Sequence, residues 1–154
     1  MISEEKKAAR RLAKLQAEID KEKAQPLIKT LTITIEWKRS RAGSNPAATV
    51  EGEAQGGQYF HNNKPYRASG CGYDKESTVI ADACNDYLKG HLYAADLTGA
   101  PYGIQAYKNH VGLERRYFSG GIGTSCYYRI IEHLGGTMEH VASGRAFDVF
   151  RIIF

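Results

Sequence analysis

A chain of 154 residues, 42% hydrophobic and 25% charged, is sized and composed for one globular domain. The net charge is +4; seven Lys or Arg against five Asp or Glu in the first 25 residues give +2, leaving +2 for the remainder, so no charge block singles out a nucleic-acid binder. Three widely spaced cysteines (Cys71, Cys84, Cys126) form no CxxC pair, which argues against a disulfide framework or a structural zinc and for a reducing cytoplasm.

Residues Ser3 to Ala24 predict one helix. Ser3 caps it, Glu4 and Glu5 suit its first turn, and the run is rich in Ala, Lys, Glu and Leu. Its apolar positions, Ala8, Leu12, Leu15 and Ile19, form a thin seam rather than a broad core-facing stripe. That makes residues 1–25 a helical extension, with Leu12, Leu15 and Ile19 as a homo-oligomer contact, ahead of a single domain over 27–154. Gln25-Pro26 ends the helix.

Leu27 to Lys38 alternates, with Leu31, Ile33, Ile35 and Trp37 on one face and Thr30, Thr32, Thr34 and Glu36 on the other, which predicts a strand. A turn over Arg39 to Pro46 follows, then strands at Ala48–Ala54, Gln58–His61 and Tyr66–Ser69. Gly56-Gly57 and Asn62–Pro65 separate them as turns of an antiparallel meander. Asp74 caps a helix to Leu88, buried through Ile80, Ala83, Cys84, Tyr87 and Leu88. Gly90 to Ser119 reads as a long irregular loop, broken by Gly99, Pro101, Gly103 and Gly112. Thr124 or Ser125 caps a helix to Leu134, stopped by Gly135-Gly136. Met138–Ala142 and Ala146–Phe154 close the chain as strands, joined by a Ser143-Gly144 turn, with the last one buried through Phe147 and Val149. The order implies an α+β fold: an antiparallel sheet of about five strands, two helices on one face, and the helical arm.

Two glycine-rich loops run into helix starts. Gly70, Gly72 and Tyr73 precede Asp74; Gly121, Ile122 and Gly123 precede Thr124 and Ser125. Such loops aim backbone N–H groups and a positive helix end at one place, which suits a phosphate or carboxylate. They serve equally as packing turns, because glycine lets a helix approach a sheet closely. Neither has the spacing of a P-loop or a dinucleotide fingerprint. The second is the better anion candidate, with Arg115 and Arg116 to neutralise charge and Tyr117 to stack on a base. No HExxH, GxSxG or deaminase pattern occurs, so no catalytic, metal or cofactor residues are assigned. No signal peptide and no apolar run near the ~20 residues of a membrane span is evident.

Three segments, Ser69–Ser77 (SGCGYDKES), Gly120–Cys126 (GGIGTSC) and Ala142–Val149 (ASGRAFDV), occur together with the strand Thr34–Lys38 (TIEWK). As a set they resemble a group of small phage and prophage accessory proteins. The resemblance covers most of the chain after Leu27 and implies anti-defence biology in the host cytoplasm, exercised by binding rather than catalysis. It leads to the expectation of a protein that sequesters a phosphate-bearing nucleotide signal. An anti-CRISPR-like inhibitor of a host nuclease and a nucleic-acid-binding regulator are the alternatives.

Overall fold

The computed structural model describes residues 3–37, 46–61, 66–67 and 75–154. The turn after Trp37, the turn at 62–65, the Asp74 cap and the loop with Gly70, Cys71, Gly72 and Tyr73 lie outside the described residues. The first helix, α1 (Glu4–Lys23), starts where Ser3 leaves helical geometry and its Oγ accepts the Lys6 N–H at 3.3 Å. Acids at Glu4 and Glu5 and bases at Lys21 and Lys23 both complement the helix dipole.

The main sheet combines β1 (Ile28–Trp37), β2 (Pro46–Ala54), β3 (Tyr59–His61), β4 (Tyr66–Arg67), β7 (Thr137–Ser143) and β8 (Phe147–Ile153). Its order is β3-β2-β1-β8-β7, antiparallel throughout. β4 pairs with β2 at Ala47 and Ala48, farther along the edge that β3 occupies. Both run antiparallel to β2, so β4 continues the direction of β3 instead of folding back on it. β1, β2 and β3 form the expected meander, and only β4 departs from it.

Two helices, α2 (Lys75–Tyr87) and α4 (Thr124–His133), cover one sheet face. Val79, Ile80, Ala83 and Cys84 from the first, and Tyr127, Ile130 and Ile131 from the second, join Leu31, Ile33, Ile35, Trp37 and Val50 in one core. The α+β architecture is therefore the expected one. Leu134 only packs on the margin of the core. Gly123, not Thr124 or Ser125, occupies the N-cap of α4, and no side chain caps that end.

β8 sits in the opposite phase from the one expected. Phe147 is 41% exposed and Val149 half-buried, while Phe150 and Ile152 fill the core. Period-two geometry makes this an all-or-none choice. The inward phase also carries Asp148, 3% exposed, and its carboxylate is satisfied there. Trp37 Nε1 donates to Oδ2 at 3.1 Å, Ser143 Oγ donates to Oδ1 at 2.9 Å, and His140 Nε2 lies 3.0 Å from Oδ1. The alternative phase would place Arg151 in the core.

The segment expected to be irregular holds a short helix, α3 (Lys89–Ala94), and a separate hairpin of β5 (Ile104–Lys108) and β6 (Glu114–Phe118). Asn109 makes the hairpin turn, its Oδ1 accepting the N–H groups of Val111 and Leu113. Asn85 of α2 fixes the far end by accepting the Phe118 N–H and donating to its carbonyl. Position 90, in the first turn of α3, is glycine where the chain after α1 passes over it: a Cβ there would lie 2.5 Å from the Gln25 carbonyl oxygen. Beside it, buried His91 accepts the Ile28 N–H at Nε2 and stacks on Phe154.

The β8 phase gives a direct check. Ile152→Ala should lower the unfolding free energy by about 2–5 kcal/mol through the cavity it leaves. Ile153→Ala, on the outer face, should cost a small fraction of that. Denaturant unfolding of the two variants measures both.

Candidate functional site

The Gly121–Ser125 loop is tied down from within. The Gly121 N–H donates to Ser77 Oγ at 3.2 Å, and Gly121 has φ +83°, which only glycine adopts cheaply. Ile122 is buried in the core. Gly120 passes close to α2, where a Cβ would lie 3.2 Å from the Thr78 Cα. Tyr127 Oη lies within bonding distance of the Ser119 and Ser77 carbonyls. A carboxylate also stands at this helix start, since Thr124 Oγ1 donates to Glu76 Oε2 at 3.5 Å. Ser125 is exposed.

The arginines expected beside this loop point to other partners. Arg115 Nη2 donates to Glu22 Oε1 at 2.5 Å, and its Nη1 lies 3.9 Å from Glu18 Oε2. Arg116 lies 3.4 Å from Glu114 and lines a surface cleft of about 190 Å³ with Leu97, Ile104 and Glu114. That volume is below the ~300 Å³ at which ordinary small-molecule sites begin. Tyr117 carries the Lys89 ammonium 5.5 Å and the Arg115 guanidinium 5.8 Å from its ring centre. Sequence neighbours of the loop are thus carried by the hairpin to the base of α1. Gly70, Gly72 and Tyr73 fall outside the described residues.

Glu22 is the centre of that second place. Besides Arg115, Lys89 Nζ donates to it at 3.3 Å and Tyr93 Oη at 3.2 Å. Burial raises its pKa, but the bonds and charges of Arg115 and Lys89 outweigh burial and hold it below the ordinary 4.5. Gln25 Nε2 adds a bond to the Asp86 carbonyl. Ile19, 3% exposed, packs into its own chain. This corrects the expectation for Ile19 as an oligomer contact: a side chain spent on its own core has no surface left for a partner. Leu12, 44% exposed, and half-buried Leu15 are not spent in this way.

Anchored at its end, α1 leaves residues 4–14 exposed. Lys6, Lys7, Arg10, Arg11 and Lys14 fall at i, i+1, i+4, i+5 and i+8. At about 100° per residue this confines five cations to an arc of about 140°. Lys7 pairs with Glu4 at 3.6 Å; among the described residues the other four have no ion-pair partner. Counting charge over 25 residues hid this stripe. The signal that finds it is helical spacing within residues 6–14; Glu18, on the same side of the helix, and Glu22, at the edge of that side, lie farther along the axis.

Glu22→Gln should loosen α1 from the body. Losing charged hydrogen bonds of this kind costs about 1–3 kcal/mol. Hydrogen exchange should quicken in the second half of α1 and leave α4 unchanged. Because the Glu22 pKa is depressed on folding, its contribution is full above pH 4.5 and is lost as pH falls through the folded value. The acid limb of stability should therefore flatten in Glu22→Gln.

Among the described residues no helix is long and apolar enough to cross a membrane. Comparison with protein-family models, with curated proteins and with solved structures found no match to this chain.

Proposed function

We propose that this protein acts by binding nucleic acid through the basic face of α1, as a regulator of the phage-accessory kind rather than an enzyme. The observation behind the reading is the stripe of Lys6, Lys7, Arg10, Arg11 and Lys14 on an exposed, end-anchored helix. Lys and Arg bind nucleic acid by neutralising phosphates and releasing counterions. The stripe extends about 12 Å along the helix, and duplex DNA carries one charge per ~1.7 Å, so it spans several phosphates. An α-helix also matches the ~12 Å width of the major groove. Point charges on flexible stems position a backbone rather than read bases, so binding should be weakly sequence-selective.

A nucleotide held at the start of α4 is the less favoured reading. Arg115 is committed to Glu22, Glu76 sits at the same helix start, and the Gly121 N–H is occupied by Ser77.

Titrating a fluorescent duplex while varying salt tests the proposal. With about five phosphates neutralised, the slope of log affinity against log salt should lie near −4 to −5. Arg10→Ala with Arg11→Ala should reduce its magnitude by about 2 while leaving the melting temperature nearly unchanged. Salt-independent binding, or an unchanged slope in the double variant, would refute it. Absence of binding to duplex and single strands alike would transfer the stripe to an acidic protein partner.

A further inference from the structure

The β5–β6 hairpin stands beside the base of α1, and its register fixes which side chains share a face. Tyr107 pairs with Arg115 and Gln105 with Tyr117, so these four lie on one side of the hairpin. Lys108 and Arg116 fall on the other. Arg115 turns the first side towards α1, because it bonds Glu22 and lies 3.9 Å from Glu18.

The two rings on that side differ in exposure. Tyr117 is half-buried under the Lys89 and Arg115 cations. Tyr107 leans on it, with ring centres 5.7 Å apart and planes inclined at 53°. The Tyr107 hydroxyl donates to Gln105, which holds the tip of the ring, yet the residue remains 52% exposed. A ring supported from one side and open on the other has already lost most of its rotamer freedom, so a flat partner stacks on it at little further entropic cost.

This ring stands at the end of the cation stripe. Glu18 follows Lys14 by four residues, about 6 Å along the axis, on the same side of α1. Glu18 meets Arg115, and Arg115 is the cross-strand neighbour of Tyr107. Arg115 is held by Glu22, so its part is to fix the ring relative to the stripe rather than to bind a phosphate. A strand laid along the stripe from Lys6 to Lys14 therefore runs on towards Tyr107. Glu18 disfavours a further phosphate at the crossing, which leaves the uncharged base as the group for the ring. Paired bases hide their faces against one another, whereas an unpaired base offers its face to an aromatic side chain. Building on the α1 reading, we propose that the favoured nucleic acid carries an unpaired segment beside the part held by the stripe, with one unpaired base stacked on Tyr107.

Fluorescence titration of the full chain at one salt concentration tests this with three probes. They are a blunt duplex, the same duplex extended by about four unpaired thymidines at each 3′ and 5′ end, and a duplex whose extensions are abasic. The thymidine-tailed duplex should bind about 5- to 150-fold more tightly than the blunt one, the range that a stacked base contributes. The abasic tail carries the same charge without bases and should add little. Tyr107→Ala, shown folded by circular dichroism, should bind the tailed duplex no better than the blunt one and leave the blunt affinity unchanged. Tyr107→Phe keeps the ring and should keep the preference. Arg10→Ala with Arg11→Ala should weaken blunt and tailed duplexes alike and preserve their ratio. Equal binding of blunt and tailed duplexes, an equal gain from the abasic tail, or a Tyr107→Ala variant that retains the preference would overturn this inference and leave the α1 reading standing. Binding of neither duplex would overturn both.

Discussion

A carboxylate withdrawn from water is stable only when donors replace the solvent it has lost. Glu22 meets that condition with Arg115, Lys89 and Tyr93, supplied by β6 and α3. The last turn of α1 therefore belongs to the body of the domain, although the first three turns stand clear of it. Ile19 adds the apolar half of the attachment. Without this clamp the helix would be a tethered segment with its direction against the body unfixed. With it, the cations of the exposed half are held in one stripe, so the proposed polyanion would meet a preorganised surface instead of ordering a coil.

Asp148 does for the sheet what Glu22 does for the arm. Its partners come from β1 and β7, so the phase of β8 and the closing edge of the sheet are fixed together. The same choice turns Phe147, Val149 and Ile153 outward. The outward side of β8 is thus set together with one buried carboxylate.

What could be read from the sequence followed how one-sided each segment is. β1 alternates apolar residues with threonines, so its phase was plain. β8 carries apolar residues in both phases, and only the donors around Asp148, one of them 111 residues away, choose between them. The β5–β6 hairpin was hidden by Gly103 and Gly112, which read as breakers but supply the positive φ values that its ends require. Arg115 was placed beside the α4 loop because it is near in sequence; its partner Glu22 lies 93 residues away. Local pattern reveals elements, whereas long-range polar pairs decide which face an element shows and which neighbour a charge finds.

The most direct test of α1 as the working surface is chemical footprinting of lysines with and without duplex DNA. Acetylation read by mass spectrometry reports each ammonium separately, including Lys6, Lys7 and Lys14 on the stripe and exposed Lys108 on the hairpin. The account predicts that duplex protects the three stripe lysines and leaves Lys108 as reactive as before. Equal protection at all four, or protection at Lys108 with the stripe unchanged, would contradict it.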